Sequence, residues 1–257
     1  MDKKVILVSI DGMRPDGVEK CGNPFVEELK KISSYTFNAR TVEPSVTLPC
    51  HMSLFHSVTP TRHGILSNTY VPQVRPVKGL FEKVNEHGGT CAFFYGWEPL
   101  RDVARPGSLK WANYINAYTE VSSDTMLTDA CIDVIKRHKP DFAFLYMVET
   151  DEKGGHDNVW MSDAYLGYVS TALSNVKRVY DLFGDEYTII VTADHGGHDR
   201  THGTTLDEDM IIPQFYIGKD FEKGKVLSNV SLLDTAPTIA KILGITPEQD
   251  WEGKSLI

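Results

Sequence analysis

The stretch 187–203, YTIIVTADHGGHDRTHG, decides the fold. Its first seven residues are aromatic, β-branched or apolar with no polar alternation, the pattern of a strand buried on both faces. The run stops at Asp194 and His195, and His198 and His202 follow within seven residues. Two distant segments end in the same way. KKVILVSI (3–10) runs into Asp11, and FAFLYMVET (142–150) runs into Asp151, with His156 five residues on. Ligands of open α/β sheets sit beyond the carboxyl ends of the strands. Carboxylates and imidazoles carried there by three strands are the donor set of a two-metal site.

The segments between these strands have helical spacing, which predicts an α/β fold: a central, mostly parallel sheet covered on both faces, a three-layer sandwich. Residues 23–34 carry Phe25, Val26, Leu29 and Ile32 on one face, and 49–56 reads as a short helix. Helices are predicted at 79–87, 123–138, 162–183 and 233–243, the last with Asp234 as N-cap and Gly244 just past its end. Further strands are predicted at 91–97 and 214–218. Residues 98–122 have no clear period and read as an excursion over the site. Without repeats, linkers or low-complexity runs, 1–257 is expected to be one compact domain with no large cap.

The charge balance, 26 Lys and Arg against 35 Asp and Glu, excludes the basic face of a general nucleic-acid binder. It leaves a small phosphorylated substrate open, because two divalent cations supply about +4 locally. The four cysteines, Cys21, Cys50, Cys91 and Cys131, have no metal-ribbon spacing and read as free thiols in a reducing compartment. The apolar run before Asp11 is too short to span or target a membrane, so the cytoplasm is expected and no membrane partner. Oligomeric state is not legible.

Individual residues leave alternatives open. Asp11 can ligate a metal, contact a ribose or cap a turn. Thr47 precedes Pro49 near a helix start, where it is either a plain N-cap or a hydroxyl placed at a positive dipole end. His51 reads as a support rather than a ligand, and Cys50 lacks a histidine partner for nucleophilic work. Gly154, Gly155, Gly196 and Gly197 are read as glycines that let the loops fold back. Three histidines within eight residues, in a chain with nine, favour metal over solvated surface.

The blocks SIDGMRPD, PSVTLPCHMSLFHSVTPTRHGILSNTY, DEKGGHDNVWMSDAYL, VTADHGGH and LLDTAPTIAKILG, in this order, resemble the alkaline phosphatase superfamily and, within it, the nucleotide pyrophosphatase/phosphodiesterase branch. The resemblance implies an alkaline phosphatase-like fold and two divalent metals, usually zinc, with manganese or iron as alternatives. Asp11, Thr47, Asp194 and His195 would hold one metal, and Asp151, His156 and His202 the other. Thr47 would be the nucleophile, passing through a phosphothreonine, and Asn68 would hydrogen-bond a non-bridging phosphate oxygen. Two spacings depart from the pattern. The Asp151–His156 interval is one residue longer than D-x-x-G-H, so the loop must bulge or displace His156. His202 follows His195 by only seven residues, as in phosphopentomutase relatives, which leaves His198 as a rival ligand.

A dianionic monoester favours a fixed guanidinium. Arg14, Arg62, Arg75 and Arg200 lie near these blocks without a motif-level claim, whereas Asn68 suits a monoanionic diester. The expected activity is therefore a two-metal phosphodiesterase or nucleotide pyrophosphatase. A phosphomonoesterase or phosphomutase-like enzyme stands behind it. From another class, the alternative is a catalytically inactive metal- or phosphate-binding protein.

Overall fold

The computed structural model describes residues 1–105 and 107–257. Seven strands form one sheet: β1 (Val5–Ile10), β2 (Ser34–Arg40), β3 (Cys91–Tyr95), β4 (Trp111–Tyr114), β5 (Phe142–Met147), β6 (Thr188–Thr192) and β7 (Ile211–Ile217). Their spatial order is β2-β7-β6-β1-β5-β3-β4. From β6 to β4 all neighbours are parallel, and β7 and β2 are antiparallel additions at one edge. The helices are α1 (Pro15–Lys20), α2 (Phe25–Ile32), α3 (Thr47–His56), α4 (Pro60–His63), α5 (Leu80–Glu86), α6 (Ser123–His138), α7 (Asp163–Phe183), α8 (Asp207–Met210) and α9 (Thr235–Leu243). They pack in two groups: α1, α2 and α6 against α7, and α3 with α4, α5 and α9. β1, β5 and β6 are buried along their whole lengths, as a sheet covered on both sides requires.

These three strands are adjacent, with β1 between β6 and β5. Asp11, Asp151 and Asp194 therefore leave the same rim from neighbouring positions. On one face of β5, Phe142, Phe144 and Tyr146 alternate inward and build an aromatic ladder with Phe55, Phe81, Phe93 and His51. Phe144 meets Phe55 edge-on at 4.8 Å, and Tyr146 meets His51 at 4.7 Å. The ladder carries the core up to the polar rim.

Several local expectations change. β2 and β4 had no counterpart in the hydrophobic pattern. β2 alternates burial irregularly and β4 is mostly exposed, so neither shows a clean period. Residues 98–122 hold a 3₁₀ turn, Glu98–Val103, and β4; Pro106 lies outside the described residues. The helix expected from residue 49 begins at Thr47. Gly244 ends α9 in the left-handed region (φ 71°), as expected, but the Asp234 carboxylate does not cap α9. It accepts instead from Ser231 N (2.9 Å) and Lys254 N (2.8 Å), closing the turn ahead of the helix. All four cysteines are free. Among the described residues no helix is long and apolar enough to cross a membrane.

Phe144 is fully buried at the centre of the ladder. Urea unfolding of Phe144→Ala should show a loss of about 3–5 kcal/mol. Val74→Ala, at an exposed position, should stay within about 0.5 kcal/mol of the wild type. Equal midpoints for the two variants would contradict this packing.

Candidate metal centre

Each strand end delivers one carboxylate, and each carboxylate is fixed on one side and free on the other. Tyr146 donates its hydroxyl to Asp11 Oδ2. Gly12 N and His195 N donate to Asp194 Oδ1 at 3.3 and 3.0 Å. Asp11 Oδ1, Asp151 Oδ1 and Asp194 Oδ2 are buried without a hydrogen-bond partner. Gly12 sits between them at φ 62°, and a Cβ there would lie 2.8 Å from Asp151 Oδ1. Only glycine meets both demands.

The imidazoles follow one rule. His195 Nδ1 donates to Gly196 O (2.8 Å), His156 Nδ1 to Arg200 O (2.9 Å) and His202 Nδ1 to Ser45 O (2.9 Å). A carbonyl can only accept, so Nδ1 carries a proton in each and Nε2, the remaining ligand atom, faces the carboxylates. His195 Nε2 lies 3.3 Å from Asp11 Oδ1 and 3.4 Å from Asp194 Oδ2. His156 Nε2 is 3.4 Å from Asp151 Oδ2, and His202 Nε2 is 4.0 Å from Asp151 Oδ1. Thr47, the first residue of α3, is buried and does not cap its helix. Its Oγ1 is 3.1 Å from His195 Nε2.

The two irregular spacings have structural answers. Thr150–His156 is wound as a π-helix, which returns to the same face after about five residues rather than four. The extra residue between Asp151 and His156 is taken up in that wider turn, which brings His156 Nε2 back to Asp151. After His195 the chain reverses through a tight turn in which His198 and Thr201 exchange backbone hydrogen bonds, with Asp199 at φ 46°. The reversal stacks the His202 ring on His195 at 3.8 Å. His198 is turned the other way, its Nδ1 2.8 Å from Asp209 Oδ1.

Two triads bring their ligand atoms within 4.8 Å of one another: Asp11, Asp194 and His195, and Asp151, His195 and His202. His195 belongs to both, and His156 approaches only Asp151. The glycines act differently from expectation. Gly154, Gly155, Gly196 and Gly197 are not in the left-handed region. A Cβ on Gly155 or Gly197 would lie 2.5 or 2.2 Å from Trp160. Their role is close approach: Trp160 fills the space beside His156 and donates to Gly12 O at 2.9 Å. Trp160 and Tyr146 were not singled out in the sequence. Only Tyr146 had a usable signal, its inward register on the strand ending near Asp151.

Burial, then the charges of Asp151 and Asp194, raises the Asp11 carboxyl well above its ordinary range. Burial and Asp151 push Asp194 up to about 8. Asp151 is also pushed up by burial, but contacts with His156, His195 and His202 together bring it below its usual value. The Asp151 hydrogen bond raises His156 to about 9, whereas burial lowers His195 to about 3. Acceptor oxygens without donors, imidazole lone pairs and crowded carboxylates fit divalent cations.

A family model described as type I phosphodiesterase/nucleotide pyrophosphatase matches residues 5–248. Ectonucleotide pyrophosphatase/phosphodiesterase family member 1 of Mus musculus is 24% identical over 222 residues, covering 74% of this chain and 24% of that protein. The 2,3-bisphosphoglycerate-independent phosphoglycerate mutase of Clostridioides difficile (strain 630) is 28% identical over 138 residues, 51% of this chain and 26% of the mutase. This chain spans about a quarter of the length of these curated relatives. Among solved structures, human ectonucleotide pyrophosphatase/phosphodiesterase 5 superposes with a TM-score of 0.82 at 14% identity, covering 98% of this chain and 97% of that one. The phosphonate monoester hydrolase SpPMH from Silicibacter pomeroyi gives 0.79 at 14%, covering 99% and 76%. The fold is thus alkaline phosphatase-like.

The pKa directions set a pH dependence. Asp194 (about 8) and His156 (about 9) bind protons more tightly folded than unfolded, where about 3.9 and 6.5 are ordinary. Their stabilisation is complete at low pH and is lost as pH rises through the folded values. The buried neutral histidines oppose this only below about pH 6.5. The melting temperature of chelator-treated protein should therefore fall from about pH 6.5 to 9. Added zinc must displace these protons, so its stabilising increment should grow over the same range. Thermal scans in which zinc adds nothing at any pH would remove the metal centre.

Proposed function

The chain belongs to the type I phosphodiesterase/nucleotide pyrophosphatase family, and on that premise we propose that it hydrolyses phosphoric diesters or nucleotide pyrophosphates through Thr47. The observation that carries the reading is the Thr47 hydroxyl, 3.1 Å from Nε2 of His195, the residue common to both ligand triads. Asp11, Thr47, Asp194 and His195 would hold one divalent cation and Asp151, His156 and His202 the other, with zinc the proposed metal and manganese or iron as alternatives. When bound, the pair supplies Lewis-acid charge and lowers the pKa of hydroxyl groups beside it.

The chain's own residues do the positioning. The start of α3 puts the positive end of its dipole at Thr47, which favours an incoming phosphate there. Asn68 Oδ1 accepts from Leu48 N at 3.0 Å, next to the nucleophile. That bond fixes the amide and leaves Nδ2 to donate to a non-bridging oxygen. In-line attack by Thr47 Oγ1 would form a phosphothreonine as the bond to the leaving oxygen breaks, the hydroxyl proton ending on the leaving group. In-line attack by water would then break the Thr47–phosphorus bond and restore the hydroxyl, with net retention at phosphorus. Tyr118, exposed on the loop after β4, lies near enough to Glu152, Asp11 and Asp151 for their charges to raise its pKa, after burial. It is available to the leaving group.

A diester suits this donor set because three of the four guanidiniums near the motif segments, all but that of Arg75, are engaged elsewhere. Arg14 binds Asp16 and Gly197 O, Arg62 binds Arg75 O and Asp250, and Arg200 donates to His156 O and Asp157 O. The short His195–His202 reversal favours a second reading, a phosphomonoesterase or phosphomutase-like enzyme. The proposed catalytic unit is the single domain 1–257 without a large cap, acting on a small phosphorylated substrate. Four free thiols support a reducing compartment such as the cytoplasm.

Hydrolysis of bis-p-nitrophenyl phosphate and p-nitrophenyl phosphate, with zinc or manganese restored after chelation, tests the proposal. The diester should be the better substrate. Thr47→Ala should abolish turnover, and Asn68→Ala should cost about 10²–10³ in kcat. Turnover of the monoester alone would move the assignment to the phosphatase. Tight metal uptake with no turnover of either would leave a binding protein.

A further inference from the structure

Behind the metal centre lies a second group of buried charges that no ligand role accounts for. Asp124, in the first turn of α6, and Glu149, just after β5, are 2% and 4% exposed. β5 ends at Met147, so Val148 and Glu149 have no strand partner for their N–H groups. Asp124 takes both: Oδ1 accepts from Val148 N at 2.8 Å and Oδ2 from Glu149 N at 3.1 Å. Val148 O in turn accepts from Asp151 N and Glu152 N, both at 3.1 Å. Two hydrogen bonds thus connect Asp124 to the backbone of Asp151.

Glu149 and Lys153 extend the group toward the outside. Glu149 Oε1 accepts from Ser123 N at 3.2 Å and from Lys153 Nζ at 2.6 Å. Lys153 Nζ also donates to Glu120 O at 3.0 Å. Glu120 belongs to the loop that carries Tyr118. The ammonium therefore ties the loop after β4 to the π-helix that holds Asp151 and His156.

Two buried carboxylates with one ammonium between them and solvent, in contact with Glu149 alone of the pair, are costly to place. A neutral cap would satisfy the same N–H groups at less cost. The geometry points to Asp124, Glu149 and Lys153 as a positioning element that presets Asp151 for its cation and holds the Tyr118 loop against the occupied site. Asp124 acts inward, through Val148, on cation affinity. Lys153 acts outward, through Glu120, on substrate binding. The inference rests on the metal-dependent reading above.

The test measures zinc affinity by competition with a chromophoric chelator, alongside steady-state kinetics on bis-p-nitrophenyl phosphate. In Asp124→Asn one accepting oxygen becomes an NH₂ group facing an N–H donor. Its zinc affinity should fall about 10–100-fold, with the far-UV spectrum unchanged. The paired variant Glu149→Gln/Lys153→Met removes the tie to Glu120 without stranding a charge. It should keep zinc affinity within about threefold, a span smaller than the loss of one charged hydrogen bond, and raise KM more than it lowers kcat. Should Asp124→Asn not fold, Asp124→Glu, which keeps the charge but displaces both oxygens, is read in the same way. Affinity within twofold of wild type in the folded Asp124 variant, or an unchanged KM in the paired variant, overturns the inference while leaving the proposed function standing. A wild-type protein that takes up no zinc would sink the proposed function first.

Discussion

Three carboxylates that repel one another are buried at a single point on the rim of the sheet, and the rest of the structure is arranged around that constraint. Asp11, Asp151 and Asp194 are nearly inaccessible, and each keeps one oxygen without a donor. Such a cluster is unfavourable by itself, since burial and mutual charge both oppose ionisation. It persists because neighbouring strands place the residues rigidly and the core behind them is well filled. The repulsion that makes the cluster costly is also what gives divalent cations their affinity for it. A softer scaffold would let the carboxylates spread apart and lose both effects.

Rigidity at this point comes from backbone carbonyls and aromatic rings more than from charge. Three imidazoles are oriented by Nδ1 donation to main-chain oxygens, from Arg200, Gly196 and Ser45. Those carbonyls belong to loops that the histidines themselves stabilise, so ligand direction and loop conformation are set together. Trp160 packs against His156 and against glycines on two separate loops, and it holds Gly12 by a hydrogen bond. The indole thereby joins the three segments that supply the carboxylates.

Most of this was legible wherever burial is two-sided. β1, β5 and β6 announce themselves because every residue in them is apolar, aromatic or small, and an aspartate follows each within four residues. β2 and β4 were not legible, because an edge strand half open to solvent carries no strict alternation. The residues of the two ligand triads, Asp11, Asp151, Asp194, His195 and His202, were all candidates from the sequence. Their geometry was not legible there. The five-residue interval from Asp151 to His156 looked like a defect until the π-helix gave it a turn of matching length. Likewise, Gly155 and Gly197 looked like hinges, but what they provide is room for the ring of Trp160, from which a Cβ would lie only 2.5 and 2.2 Å away. Close approach between distant segments leaves no trace in local pattern.

The division of labour between strands and loops explains why chemistry is easier to assign here than substrate. The proposed reacting groups sit at buried strand ends and on the first turn of α3, where a change of position would disturb the core. Leu66 and Tyr70, which flank Asn68, and Tyr118 after β4 are exposed on loops. Loops can change without cost to the sheet, so one arrangement of carboxylates and imidazoles can serve many esters. Lys153 is the exception, because its ammonium joins a loop to the metal-holding turn. Through that contact the identity of the outer wall and the order of the inner site become one problem, and a substrate that moves the loop must also work against the helix that holds Asp151.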